Sequence, residues 1–278
     1  MKPLAWSRIA LGVLFLFRTT PLLDLLHLPF ASDAWPLLGW PSEHWAGSAW
    51  FHLPPAIGAV ACVARTIAAI LFTLGIATSI SGLAAGTLGY LVMLQHPFGL
   101  PFTLHLLFQG TIILAFADAG AALALRPEPL RAPSSSLLLV RCFLASIYFW
   151  AGIGKLRLDW LDGRTLALFR ADGAFHGWAN RTILASSAMR ATCAISVVVV
   201  ELSLPWLLLI PRTQTLGLAV ALALHAVIEL AARPDLLGWE MVALLLALWP
   251  IKEPSADLRA IQGDKSQGRD AAGQPMNP

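Results

Sequence analysis

The sequence predicts an all-α, polytopic transmembrane bundle of about eight spans. Three observations carry this. Hydrophobic residues make up 57% of the 278 positions and charged residues 13%, against about 25% charged in an ordinary soluble domain. Mean hydropathy is +0.70. The apolar runs are continuous rather than alternating, which excludes a transmembrane β-barrel. A soluble fold of this length cannot hide so much apolar surface, and a disordered chain would lack it.

A spanning helix needs about 20 mostly apolar residues. The candidates are Leu4–Leu23, Ala56–Thr78, Ser79–Leu94, Pro101–Ala119, Ser135–Gly154, Ala191–Ile210, Thr215–Leu230 and Leu237–Ile251. The third and eighth are short. Together they make a membrane domain over residues 1–251, and the polar stretch 252–278 reads as a disordered cytoplasmic tail. No cleavable leader is expected, because the first run holds Arg18 and no small-residue cleavage pattern follows it.

Loop charge sets orientation. Lys2 and Arg8, then Arg126 and Arg131, then Lys252, Arg259, Lys265 and Arg269 fall on one side of an eight-span chain. Both termini are therefore predicted to be cytoplasmic. The segment Lys155–Arg190 breaks the pattern: it falls outside yet holds Lys155, Arg157, Arg164, Arg170, Arg181 and Arg190. A folded, partly embedded segment would reconcile this. The outer stretch Asp24–Pro55 carries Trp35, Trp40, Trp45 and Trp50, and reads as an interfacial anchor or as a lid over a lipophilic ligand. The net charge of +3 comes from scattered residues, so nucleic acid is not expected as a partner. Cys62, Cys142 and Cys193 lie in apolar runs without metal spacing and read as small buried hydrophobes.

Ionisable groups within spans mark function or need a partner. Glu201 falls near mid-span. Its simplest role is an ion pair with Arg65 or Arg141, and the sharper one is proton acceptance or substrate contact. His225 and Glu229 are four residues apart and share a helix face. They could form an acid/base pair, but the absence of a second ligand pair predicts no metal. His105 lies in the fourth span, where a structural role and a functional one are about equally supported. The densest cluster is Tyr148-Phe149-Trp150-Ala151-Gly152-Ile153-Gly154-Lys155. Lys155 there is either a snorkelling end residue, kept charged by Asp159 four residues on, or a desolvated base.

This stretch resembles the membrane part of the vitamin K-dependent γ-carboxylase family, the HTTM domain. The family pattern A-G-x-x-K-L-x-x-x-W-x-x-G is matched by Ala151, Gly152, Lys155, Leu156, Trp160 and Gly163. Arg8-Ile9-Ala10-Leu11-Gly12, the run Glu201-Leu202-Ser203-Leu204-Pro205 and His225 are similar to further pieces, in order, over roughly residues 5–250. The resemblance implies that Lys155 is the base that deprotonates a reduced, vitamin K-like quinone from an outward-facing cavity. It also implies that a histidine on the preceding span assists. His105 is the nearest match, although Pro101-Phe102-Thr103-Leu104-His105 lacks the family's Asn-His-x-Tyr-Leu pattern. The expected catalytic set is Lys155, His105, His225 and Glu201, with Trp150, Asp159, Trp160 and Arg141 as substrate contacts. No room remains after residue 251 for the carboxylases' large substrate-binding domain, so the expectation is a stand-alone, bacterial-type protein of the inner membrane. Its substrate would be a quinol or another lipid-soluble molecule drawn from the bilayer. The alternative is a non-enzymatic membrane partner in peptide maturation, export or immunity, contacting a peptide or partner chain.

Overall fold

The computed structural model describes residues 2–19, 55–93, 102–130, 133–232 and 236–249. The Trp-rich stretch within 24–54 and the tail 252–278 lie outside the described residues. The architecture is all-α, with only an isolated bridge between Phe175 and Ala232 among the described residues. In chain order the helices are α1 (Lys2–Thr19), α2 (Pro55–Leu74), α3 (Thr78–Met93), α4 (Phe102–Phe116) and α5 (Pro133–Gly154). Three short helices follow: α6 (Leu158–Leu161), α7 (Arg164–Ala171) and α8 (Gly177–Arg181). Then come α9 (Ser187–Leu209), α10 (Gln214–Ala231) and α11 (Leu237–Leu245), which tightens into a 3₁₀ turn, Leu246–Leu248.

Four of these are long and apolar enough to cross a membrane: Ala56–Leu74, Ser134–Gly154, Ser187–Leu209 and Gln214–Ala231. The chain is a polytopic membrane protein, but length and composition support four crossings rather than the expected eight. The shorter apolar helices are Thr78–Met93, Phe102–Phe116 and Leu237–Leu248. At 1.5 Å per residue the 15 residues of α4 span about 22 Å, less than a hydrocarbon core of about 30 Å. Helix α1 is long enough but carries Lys2, Arg8 and Arg18.

Two groups of helices share one core. Helices α1 to α4 pack in sequence, and α9 packs on both α5 and α10. Helix α11 joins them, touching α1, α4, α5 and α10, so the last helix closes on the first. The apolar run expected to be nearly continuous at residues 74–79 breaks at Gly75, which has φ +73°. A side chain there would also strike Ala124 and the Arg8 guanidinium.

Arg8 anchors that corner. It is fully buried, and its guanidinium donates to the carbonyls of Ala119 at 2.9 Å and Leu123 at 2.5 Å, beyond the end of α4. Glu128 in the same loop accepts from the Ser79 amide (3.2 Å) and hydroxyl (2.8 Å), capping the first turn of α3. An anion at a helix N-terminus and a cation at carbonyls are both favourable. Asp118, at the same corner, accepts from the Ser136 hydroxyl at 2.9 Å. Arg18 and Arg65 are also buried, with Arg65 donating to the Thr19 carbonyl at the end of α1. Neither is a snorkelling end residue.

The arginine-rich segment 155–190 folds into a cap rather than a loop. Leu166, Leu184 and Ala194 form its own small core, with Trp160, Phe175 and Cys193 packed against it. Its charge is absorbed locally. Arg157 pairs with Asp159 and Arg164 with Asp162 on the exposed rim, and Arg170 and Arg190 donate to the Leu184 carbonyl. The cap is tied to the end of α10, since the His176 amide bonds the Ala231 carbonyl and the Trp178 indole bonds the Leu230 carbonyl. The cysteines differ from expectation. Cys62 is buried, but Cys193 is half-buried and Cys142 is exposed on the apolar helix α5.

Replacing Arg8 by alanine strands buried carbonyls and should lower stability by about 3 kcal/mol. Arg164→Ala, on the exposed rim, should leave the unfolding temperature where it was. Thermal unfolding of both variants in the same detergent checks the contrast.

Candidate functional site

The site forms where the C-terminus of α5 meets the middle of α9. Helix α5 ends at Gly154, and Lys155 turns back over its last turn. Its Nζ donates to the Ala151 carbonyl at 3.2 Å and to both Glu201 oxygens at 2.8 Å. It also lies 5.4 Å from the centre of the Trp160 ring, a cation–π contact. The Lys155 side chain is 23% exposed and that of Glu201 9%. The exposed Arg157–Asp159 pair is 72% and 44% open, and pairs of that kind contribute little. Lys155–Glu201 is much the more buried of the two pairs.

Small residues bring the two groups together. A side chain at Gly152 would lie 2.7 Å from Leu202 Cδ2 and 3.3 Å from the Leu202 backbone nitrogen. Only glycine lets α9 approach this closely, one residue from Glu201. Pro205 stands within α9, four residues after Glu201. It lacks the amide that would close on the Glu201 carbonyl, so backbone polarity is freed beside the carboxylate. Trp160 is held over the lysine by its indole N–H, which donates to the Ala194 carbonyl at 3.3 Å.

A second buried contact adjoins the first. The Tyr148 hydroxyl and His225 Nε2 are 3.0 Å apart, with Tyr148 2% and His225 5% exposed. Tyr148 lies on α5, seven residues before Lys155. Helix α10 packs on α9 through Gly217, where a side chain would meet Leu207. His225 Nδ1 is buried without a hydrogen-bond partner among the described residues.

Several expected pairings are replaced. Asp159 does not hold Lys155; it accepts from Arg157 at 3.1 and 3.0 Å. A slight desolvation is outweighed there by the Arg157 hydrogen bonds and charge, which hold the carboxyl below the ordinary aspartate range. Glu201 pairs with neither Arg65 nor Arg141. Arg141 bonds the Gln214 side chain, whose amide reaches the Leu248 carbonyl. Arg141 lies 14 residues before Lys155, about 21 Å along the helix, so it ties α5 to α10 and α11 at the far end. Glu229 does not pair with His225; it accepts from the Gly238 amide at the start of α11. His105 meets Tyr90 of α3, with Nδ1 2.9 Å from the hydroxyl and the rings edge-on. Trp150 is 68% exposed, on another face from Lys155.

The structure thus brings Lys155, Glu201 and Trp160 into contact and bonds His225 to Tyr148 of α5, the helix that leads into Lys155. It does not join His105, Arg141, Trp150 or Asp159 to that cluster by any contact seen among the described residues. Tyr148 and Gly152 stood in the densest sequence cluster but not in the expected set of site residues. Their spacing of seven and three before Lys155 was the available signal. No group of three or more His, Cys, Asp or Glu side chains among the described residues could hold a metal ion.

The pair and its neighbours act as a unit, so their losses should not add. Glu201→Gln and Lys155→Met singly should each cost about 3 kcal/mol, because each leaves a buried charge or polar group alone. The double variant should recover at least about 1 kcal/mol relative to the sum. Denaturation of the four proteins under one set of conditions measures the coupling, and additivity would show that the pair carries none.

No curated protein and no solved structure matches the chain. A family model described as the HTTM domain matches residues 126–250. The matched part begins in the loop before α5 and ends after the last 3₁₀ turn, so it holds the cap, Lys155, Glu201, Tyr148 and His225. Over those residues the chain is similar to the HTTM domain.

Proposed function

We propose that the protein is a carboxylase-like membrane enzyme that takes a proton from a lipophilic quinol, or a similar lipid-soluble substrate, on Lys155. In this reading residues 1–251 form one domain with eight crossings, the short helices tilted or sheltered within the bundle. Both termini lie on the cytoplasmic side, with 252–278 as a polar tail, and the cap faces outward. The observation that carries the reading is the position of Lys155. It is turned inward onto a buried carboxylate and roofed by Trp160, not extended to headgroups and capped by Asp159.

An ion pair in an apolar setting gains little over its neutral form, because desolvation opposes both charges. With the shared proton on Glu201, the Lys155 amine is free to take the hydroxyl proton of a substrate. The site then holds two protons, one on each group. General-base efficiency is greatest when such a group can change charge near working pH. The surroundings suit a lipophilic substrate carrying oxygen atoms: an indole roof, apolar helix faces and a buried imidazole atom without a partner. A reduced quinone would supply oxidisable hydroxyl groups. His105 has an assisting role here by resemblance alone, held by Tyr90.

A second reading, a non-enzymatic partner in peptide maturation, export or immunity, is favoured by one feature. The cap exposes Leu158 at 80% and Leu168 at 65%, with Phe169 and Trp178 also open. In that case Lys155–Glu201 only locks α5 to α9.

The purified protein in lipid discs, given reduced menaquinone or vitamin K analogues under oxygen, separates the two. The carboxylase-like reading expects quinone epoxide from the wild type and at least a 100-fold loss in Lys155→Ala, in line with removal of a general base. A folded wild type that forms no epoxide from any quinol supports the partner reading instead.

A further inference from the structure

Tyr148 is buried, and its hydroxyl proton requires an acceptor. Among the described residues the acceptor at bonding distance is His225 Nε2, at 3.0 Å. A neutral imidazole that accepts at Nε2 carries its proton on Nδ1. That atom is buried and has no partner among the described residues, not even a helix carbonyl. Buried N–H groups without an acceptor are rare in folded proteins, and such a group indicates a missing water or ligand. Its location is informative. The partner of His225, Tyr148, lies on α5, the helix that leads into Lys155, and α10, which carries His225, packs on α9, which carries Glu201. The unsatisfied donor therefore lies among the three helices that carry or lead into the Lys155–Glu201 pair.

We propose that Tyr148 is a positioning residue, which fixes His225 as the Nδ1–H tautomer so that the imidazole donates a hydrogen bond to a carbonyl or hydroxyl oxygen of a buried lipophilic ligand. This rests on reading the Lys155 cluster as a ligand site. It assigns the two halves of the cluster different work: Lys155 and Glu201 exchange a proton with the ligand, and Tyr148 and His225 hold one of its oxygens in register. The contact is neutral, so it orients the ligand without adding a further charge to the bilayer interior.

Nitrogen NMR of the full chain in lipid discs, with histidine ring nitrogens labelled, tests this. His225→Gln identifies the signal among the seven histidines. The wild type should show His225 protonated at Nδ1 and bare at Nε2. Tyr148→Phe should convert it wholly or largely to the Nε2–H form, because the donor that enforced the first tautomer is gone. Oxidised menaquinone-4, which offers carbonyl oxygens but no hydroxyl proton to Lys155, should shift the Nδ1–H resonance in the wild type. In Tyr148→Phe that shift should be lost. A wild-type imidazole protonated at Nε2 overturns the proposal whether or not the variant folds. So does an Nδ1–H resonance that menaquinone-4 leaves in place. The readout needs no turnover, so it is separate from the epoxide assay. A chain that makes no epoxide can still show the tautomer and the shift, and an active one can fail to.

Discussion

The bidentate contact between Lys155 and Glu201 is the interaction on which the arrangement of the C-terminal half rests. A carboxylate in the middle of an apolar helix is expensive unless it is neutralised or paired. Its partner here comes from the end of another helix, not from a neighbouring turn. That requirement propagates outward. Helix α5 must end where it does, Gly152 must have no side chain where α9 crosses, and Trp160 must be fixed by the Ala194 carbonyl to shield the ammonium. The cap of α6 to α8 supplies that indole. A segment that looks like a surface loop therefore completes the interior.

The same constraint explains the rest of the buried charge. The guanidinium groups of Arg8 and Arg65 reach carbonyls at or beyond the ends of other helices, and Glu128 and Glu229 accept amides at the starts of helices. Each charge meets the partial charge of opposite sign that a helix end provides. These contacts fix the short helices α3, α4 and α11 to their neighbours. Those helices gain from protein contact what their length does not give them in lipid.

Much of this was legible in the sequence, and the failures have identifiable physics. The row of apolar runs gave the helices nearly in place, and the Lys155 motif drew attention to the right cluster. The partner of Lys155 was misread because the i,i+4 rule applies within a continuous helix. Gly154 ends α5 and α6 begins only at Leu158, so Asp159 never shares a face with Lys155. Glu201 could not be matched from sequence because three basic residues compete for it, and only the crossing of α5 and α9 decides. The arginine excess of residues 155–190 broke the loop-charge pattern, and the folded segment expected there accounts for it. The positive-inside rule describes loops that remain in water, whereas this segment folds and spends its charge on its own aspartates and carbonyls. Eight apolar runs yield four helices of spanning length because hydropathy reads apolarity and not length: the 9-residue helix α11 is apolar and mostly buried in protein.

The chemistry follows from how the two buried contacts differ. Lys155–Glu201 keeps partial access to the outside through the lysine, which is 23% exposed, whereas the imidazole of His225 is nearly sealed. In the proposed chemistry a proton would enter or leave at the lysine end, the more open of the two. The histidine end is suited to a fixed, neutral hydrogen bond whose strength grows as water is excluded. A substrate bridging the two would meet the mobile proton at one end and the rigid donor at the other. The polarity of the site is then set by burial alone, through the depth at which α9 and α10 carry Glu201 and His225 beneath the cap.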